Sequence, residues 1–321
     1  MLKRFIVILF SILLLSCLLS ACGKESKNEG ADGLTIVATV FPQYDFACRI
    51  TEGTDAKVSM LLGVGSEPHS YEPTPSDVVS INESDLFIWV GGESEAWAQK
   101  LLASTGKERE KVMALMDMVP LLETESGHGN EDHDDHDNTD GKEHDHEHDE
   151  HVWTSPRNAI AIVNALAERI CELDPSNSEI YLANAKAYIT ELTALDNDLT
   201  SLGEKADKPL IFGDRFPFLY LAHDYGFEYI SPFRGCSSST EASMAEIAEV
   251  ITTARNTQAS VIFSVDFSNE KLAATIADEV GAEVLRLYSC HMAGADDIKN
   301  GIGYIELMRK NLESLEEAIG N

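Results

Sequence analysis

Residues 127–151 contain the highest density of side chains able to bind a metal ion. Histidine alternates there with aspartate and glutamate, and aliphatic residues, Phe, Tyr and Trp are absent. Such a segment cannot bury enough apolar surface to offset its ordering entropy, so a solvated loop is predicted. Imidazole and carboxylate together suit borderline divalent cations, zinc above all, whereas a plain acidic linker needs no histidine. The predicted auxiliary metal-binding residues are His128, His133, His136, His144, His146 and His148.

Two further histidines lie in segments that can hold an imidazole in place. His69 occurs in the sequence G-S-E-P-H-S-Y-E-P-T-P-S-D, whose glycine and prolines favour a fixed loop directly after a predicted strand. His151 ends the acidic loop and is followed at once by the ordered sequence V-W-T-S-P. The preceding Asp149 or Glu150 is placed to orient the second ring nitrogen of His151. We therefore predict that His69 and His151 bind metal directly.

The N-terminus predicts export and membrane attachment. A basic start precedes an apolar run over residues 5–19, which is shorter than the roughly 20 residues needed to span a bilayer. A signal peptide is therefore predicted over residues 1–22. The sequence L-S-A-C ends at Cys22 and resembles a bacterial lipobox, so lipidation of Cys22 is expected, with plain secretory cleavage as the alternative. Residues 23–33 are polar and are predicted to form a flexible tether.

Composition narrows the function classes further. The formal net charge of -31 argues against nucleic acid as a partner. About 300 residues remain after the signal peptide, which is more than one hydrophobic core usually serves, so two lobes are expected.

Short apolar runs alternate with helical patterns along most of the chain, which indicates βα units on mostly parallel sheets. The predicted fold is α/β, with two Rossmann-like lobes joined by one long spine helix and a metal cleft between them. A helix beginning at Asp174-Pro175 carries an uninterrupted apolar stripe and extends for about 40 Å. The predicted division is an N-terminal lobe over residues 34–173 including the acidic loop 123–150, a linking helix over 174–205, and a C-terminal lobe over 206–321.

The predicted secondary structure follows from those runs. In the first lobe we expect strands over residues 34–40, 58–62, 85–91 and 111–116, and helices over 43–52, 93–104 and 156–173. In the second lobe we expect strands over 209–213, 259–266 and 283–288, and helices over 216–224, 243–253, 269–280 and 297–319. Ser243 and Glu246 form a predicted capping box.

Extracytoplasmic export permits disulfide bonds. Cys236 and Cys290 are the favoured pair because both follow predicted strands in one lobe. Sequence alone does not fix connectivity.

Several of these features occur together in one known family. The G-x-x-P-H-x-Y-E-P-x-P-x-D stretch, the D-E-H-V-W-T-S-P stretch, the lipobox, the acidic histidine loop and the spine helix follow one another in the order found there. Over residues 34–319 the chain resembles the cluster A-I substrate-binding lipoproteins of zinc and manganese ABC importers. The resemblance implies a monomer, lipid-anchored on the extracytoplasmic face of a bacterial membrane, that passes metal to an ABC permease and its ATPase. The acidic loop favours Zn²⁺ over Mn²⁺ as the ligand.

The second lobe departs from the family's pattern. The family's third ligand falls on Gly213, which has no side chain, and its late carboxylate falls near Ser289 or Cys290. We predict that the adjacent His291 serves instead. Three imidazoles and one oxygen suit Zn²⁺ at distances of about 2.0–2.1 Å. The weaker candidates for completing the site, besides water, are Asp214, Glu241 and His223.

Three functions compete at this point. The first is a non-enzymatic receptor that captures Zn²⁺ and delivers it to a permease. The second is an adhesin or metal-buffering protein of the same fold. The third is a zinc hydrolase, which an open coordination position would permit but which the absence of H-E-x-x-H and G-x-S-x-G motifs disfavours.

Overall fold

The first half of the chain builds a parallel sheet from short, mostly β-branched or aromatic runs. The computed structural model describes residues 33–63, 71–124, 148–233 and 242–320. The strands are β1 (Thr35–Ala38), β2 (Lys57–Met60), β3 (Leu86–Trp89) and β4 (Val112–Ala114). They pair in the order β2-β1-β3-β4, and every pair is parallel. The two central strands, β1 and β3, are almost fully buried, as expected of a sheet covered on both faces.

Four helices accompany this sheet in the described part of the chain. They are α1 (Phe41–Thr51), α2 (Pro75–Glu83), α3 (Ala96–Thr105) and α4 (Pro156–Leu173). Helix α2 is not among the predicted helices, because the prolines before it favour a loop. Pro75 instead occupies the first helical turn, and Thr74 and Asp77 cap each other's backbone amides. A 3-10 turn, Val152–Thr154, follows His151 directly.

The long helix is present. It is α5 (Ser178–Gly203), which at 1.5 Å per residue measures roughly 39 Å. It begins after a 3-10 turn, Pro175–Asn177. The side chains of Asn177, in that turn, and of Tyr181, in α5, both donate to the Asp174 carboxylate. The predicted apolar stripe is the buried face, and α5 packs against α4 and α1 along it. Its buried residues are Tyr181, Ala185, Tyr188, Leu192, Leu195, Leu199 and Leu202.

The second half repeats the βα arrangement. Its strands are β5 (Leu210–Ile211), β6 (Tyr229–Ile230), β7 (Val261–Val265) and β8 (Glu283–Leu287). Strands β5 and β6 form one parallel pair and β7 and β8 another, and a bridge between Phe212 and Phe263 joins the two pairs. The helices are α6 (Leu219–Tyr225), α7 (Met244–Thr257), α8 (Lys271–Val280), α9 (Ala295–Lys299) and α10 (Tyr304–Gly320).

The predicted α/β fold with parallel sheets and a long helix is confirmed. The Ser243–Glu246 capping box opens α7 as expected. The single C-terminal helix predicted over residues 297–319 is wrong, because α9 ends at Lys299 and Gly301 adopts a left-handed φ of 71° that a continuous helix cannot contain. Strand β6 was also missed, since two residues are too short to show a period. No described helix is long and apolar enough to cross a membrane.

Candidate metal centre

His151 is buried and held by its own neighbour. Only 3% of the residue is exposed, and its backbone N–H donates to Asp149 Oδ1 at 2.8 Å. The same carboxylate oxygen lies 3.0 Å from His151 Nδ1. A carboxylate only accepts hydrogen bonds, so this contact assigns the ring proton to Nδ1 and leaves the lone pair at Nε2 for a metal. The sequence-based expectation named Asp149 or Glu150, and the structure selects Asp149.

Glu150 points elsewhere. Its Oε1 accepts a 2.8 Å bond from the Ser94 backbone N–H, and Oε2 accepts from the Ser94 hydroxyl. Glu150 therefore fastens the His151 segment to the residues that follow β3.

His291, from the opposite half of the chain, lies directly beside His151. The two ring centroids are 4.7 Å apart with an interplanar angle of 88°, and the Trp153 ring centroid is 4.9 Å from that of His291. Trp153 Nε1 also donates to the Ser289 carbonyl at 2.9 Å, so the turn after His151 and the loop after β8 are joined by a buried hydrogen bond. Two imidazoles that the sequence singled out separately are thus brought together.

The loop that carries His291 is fixed on two sides. Asn311, fully buried on α10, accepts from the Tyr288 N–H at 2.6 Å and donates to the Tyr288 carbonyl at 2.8 Å. The Ser289 N–H donates to Asp266 Oδ1 at 2.7 Å. Cys290 then takes a left-handed φ of 59°, a costly conformation for a side chain that carries a Cβ. The surrounding contacts hold His291 in position in spite of that cost.

Asp266 is a residue that the sequence analysis did not select as a candidate. Burial raises its pKa to about 6, against a smaller lowering by the hydrogen bonds from Ser289. The available signal was its place at the end of the predicted strand 259–266, since ligands of parallel sheets gather at the carboxyl ends of the strands.

The carboxyl ends of β1 and β3 reach the same region. The Phe41 N–H donates to the His291 carbonyl at 3.1 Å. In the 3-10 turn after β3, Glu95 is 4% exposed, accepts from the Val90 N–H at 2.6 Å, and has its pKa raised to about 7, chiefly by burial. The hydrogen bond from Phe41 ties the His291 loop to the residues that follow β1.

The other predicted ligands have different positions. Of the acidic-loop histidines, only His148 is described; it is exposed and forms an antiparallel bridge with Glu123. His223 is exposed on α6, with Nδ1 2.9 Å from Asp224 Oδ1. Within the described ranges no three His, Cys, Asp or Glu side chains are close enough together to hold a metal ion. The predicted ligands outside those ranges are His69, Glu241, His128, His133, His136, His144 and His146.

The departure at Gly213 has a steric cause. A Cβ built on Gly213 would lie 2.3 Å from Ala273 Cα and 2.8 Å from Ala273 Cβ, because α8 packs directly on the end of β5. A side chain does not fit there unless α8 shifts, so residue 213 supplies no ligand. The next residue, Asp214, accepts from the Arg215 N–H at 2.9 Å and the Val265 N–H at 3.2 Å, which ties the end of β5 to β7.

Of the three cysteines predicted to be lipidated or disulfide-bonded, only Cys290 lies within the described residues. Cys290 is a free, fully buried thiol, and burial raises its pKa well above the usual range. Because the Cys290 thiol is free, the predicted disulfide with Cys236, which lies outside the described residues, is not formed in this structure. The predicted lipidation site, Cys22, also lies outside them.

Comparison with known proteins decides the family. Residues 36–318 match the family described as the periplasmic component A of the zinc-uptake complex. The chain belongs to this zinc-uptake component A family. It is 32% identical, over 97% of both chains, to the high-affinity zinc uptake system protein ZnuA of Bacillus subtilis. It is 33% identical, over 93% of its own length, to the zinc-binding lipoprotein AdcA of Streptococcus pneumoniae, of which it spans 58%.

Solved structures agree. The Zn(II)-bound ZnuA-like domain of the pneumococcal AdcA superimposes with a TM-score of 0.72 at 29% identity, covering 90% of this chain and all of that one. A laminin-binding adhesin of Streptococcus agalactiae superimposes with a TM-score of 0.73 at 26% identity, over 89% of this chain and all of that one. The resemblance predicted from the sequence motifs is confirmed. The family is one of extracytoplasmic substrate-binding proteins for metal uptake, not a family of enzymes.

Proposed function

We propose that this protein captures Zn²⁺ outside the cytoplasm and delivers it to the permease of an ABC importer. The observation that carries the proposal is the pairing of His151 and His291, two imidazoles from opposite halves of the chain whose ring centroids are 4.7 Å apart. Membership of a zinc-uptake family and similarity to zinc-binding relatives supply the identity of the cation.

The proposed ligands are His69, His151 and His291, with an oxygen from Glu241 or water completing the tetrahedral shell that zinc prefers. Neutral imidazoles replace the water around the ion, so binding requires that they be deprotonated. The Asp149 carboxylate keeps the Nδ1 proton of His151 in place and directs Nε2 toward the ion. Binding and release of Zn²⁺ are the whole mechanism, and no covalent step is needed.

The proposal includes the means of attachment and transfer. Lipidation at Cys22 would hold the protein at the membrane surface through two or more acyl chains, with residues 23–33 as a tether. The acidic histidine loop would gather Zn²⁺ near the site. Delivery to a permease and its ATPase is supported by the relative from Bacillus subtilis, which is named as part of a high-affinity zinc uptake system.

The test compares three alanine variants by competitive titration with a chelator of known zinc affinity. His151→Ala and His291→Ala should each weaken the tightest Zn²⁺ site at least about tenfold, because each removes a direct ligand. His223→Ala is the matched control, since His223 is exposed and bonded to Asp224, and it should leave the affinity unchanged. Wild-type affinity in both His151→Ala and His291→Ala would refute the site.

An adhesin function is the second candidate, and one observation favours it: the laminin-binding protein of Streptococcus agalactiae shares the fold. The two functions separate in cells. Uptake is supported if deletion of the gene prevents growth under zinc limitation and the wild-type gene, but not His151→Ala, restores it. Unchanged growth together with loss of laminin binding supports adhesion.

A further inference from the structure

A buried tyrosine hydroxyl connects the two chain segments that flank residues 125–147. Tyr220, on α6, is 2% exposed, and its hydroxyl accepts from the Leu122 N–H at 3.1 Å and donates to the Asp149 carbonyl at 2.9 Å. The Asp149 N–H in turn donates to the Leu122 carbonyl at 2.9 Å. One side chain therefore closes a small hydrogen-bonded ring with the main chain of both segments.

Asp149 is also the residue that orients His151. The Asp149 main chain is hydrogen-bonded to Leu122 and Tyr220. Its carboxylate accepts hydrogen bonds from the backbone N–H and from Nδ1 of His151. A shift of the Asp149 main chain would therefore move the carboxylate and, with it, the imidazole. The path from Tyr220 to the His151 ring passes through one residue only.

Helix α6 holds the same segment at two further points. The Ser155 hydroxyl donates to the Asp224 carboxylate, and Arg157 Nη1 donates to the Asp224 carbonyl at 2.6 Å. Tyr220 and Asp224 lie one helical turn apart and so share a face of α6.

We infer that Tyr220 is a positioning residue for zinc binding: its hydroxyl fixes the Asp149 main chain, and through Asp149 it sets the tautomer and direction of the His151 ring. The inference rests on the proposed function, because it treats His151 as a zinc ligand. Helix α6 thus serves the site by holding the segment that carries a ligand from the first half.

The Tyr220 hydroxyl, and not the ring, is the group whose removal tests the inference. The ring belongs to the main apolar core and would be retained by phenylalanine. Removing only the oxygen leaves the Leu122 N–H and the Asp149 carbonyl without their shared partner, so the segment before His151 gains freedom while the core keeps its packing.

The experiment uses the full chain with Tyr220→Phe. Zn²⁺ alone is the probe, in competition with a chelator, and the affinity of the tightest site should fall roughly tenfold, the lower end of what loss of an outer hydrogen-bonding partner costs a metal site. In the metal-free protein labelled with ¹⁵N-histidine, the Nδ1 proton of His151 should exchange with water at least several-fold faster than in wild type. Because a loss of global stability also speeds exchange, the change is read against a control variant of similar stability.

Tyr181→Phe is the control, because Tyr181 is also a buried tyrosine and its hydroxyl donates to Asp174, away from the Asp149–His151 segment. It should leave both the zinc affinity and the His151 signal as in wild type. Wild-type values for both readouts in folded Tyr220→Phe would overturn the inference. His151→Ala separates the two failures: if it too binds like wild type, the proposed site is wrong and not merely the role of Tyr220.

A second measurement needs no variant and covers the case in which Tyr220→Phe fails to fold. In wild-type protein the Leu122 amide should resist hydrogen exchange before Zn²⁺ is added and should gain at least several-fold more protection when Zn²⁺ binds. An unprotected Leu122 amide, or one whose exchange ignores Zn²⁺, would contradict the coupling.

Discussion

At the scale of single residues, the neighbours of His151 and His291 restrict the movement of both imidazoles. Asp149 prevents rotation and tautomer exchange of His151, and Ser289 with Asn311 prevents movement of the His291 loop. Hydrogen bonds to main-chain groups hold the segments of both imidazoles before any ion arrives. Pre-organisation of this kind lowers the ordering cost that a ligand must meet on binding.

Gly213 gives a test of the steric argument. Gly213→Ala should destabilise the fold by about 1–3 kcal/mol, because its Cβ would fall 2.3 Å from Ala273 Cα and α8 must move. Gly320→Ala, where a Cβ meets nothing within 4 Å, should change stability by less than about 0.5 kcal/mol. Urea unfolding of both variants measures the difference. Equal stability of the two variants would show that position 213 tolerates a side chain.

Some residues of the site could be predicted from the sequence and others could not. His151 could be selected because an ordered sequence follows it at once, and His291 because it lies after the last predicted strand, next to the position that the resemblance gives to a carboxylate. Asp266 and Tyr220 could not, since their roles depend on hydrogen bonds to Ser289, Leu122 and Asp149, contacts that join residues distant in the chain. Periodicity reports which face of an element is buried but not which main-chain group lies opposite.

At the scale of elements, the base of the acidic loop is the feature that sequence reasoning placed least well. Residues 123–150 were treated as one solvated segment, yet Glu123 pairs with His148, and Asp149 is 5% exposed. A carboxylate-rich composition predicts solvation. Here hydrogen bonds offset the cost of burying Asp149, because its carboxylate pairs with the His151 imidazole and its carbonyl accepts from the Tyr220 hydroxyl. The three residues before His151 are therefore part of the folded structure.

That boundary decides how the loop should be deleted. Removal of residues 127–147 should lower the number of Zn²⁺ ions bound while leaving the tightest affinity near wild type, because the Asp149–His151 pair is kept. Extending the deletion through residue 150 should weaken the tight site roughly tenfold or more, since Asp149 is then lost. Calorimetric titration gives both numbers. Loss of tight binding in the shorter deletion would show that the loop itself forms part of the site.

At the scale of the whole molecule, buried hydrogen bonds connect the two halves around Trp153. The Tyr304 hydroxyl donates to the Trp153 carbonyl at 2.6 Å, and the Tyr304 N–H donates to Asp45 at 3.2 Å. Asp45, on α1, also accepts from the Tyr188 hydroxyl of α5 at 2.9 Å. The long helix, the first helix and the last helix therefore meet beneath the paired histidines, which favours one fixed arrangement of the ligand-bearing segments.

The pH dependence of the metal-free fold follows from the buried carboxyl of Glu95. Burial raises the pKa of Glu95 from 4.5 to about 7, so the folded state retains its proton where the unfolded chain has lost it. The resulting stability is complete below pH 4.5 and is lost as pH rises toward 7, which amounts to about 2 kcal/mol between pH 5 and 7. Glu95→Gln, unlike the exposed control Glu313→Gln, should remove this difference in urea unfolding at the two pH values. An unchanged pH slope in Glu95→Gln would show that Glu95 does not carry the buried proton.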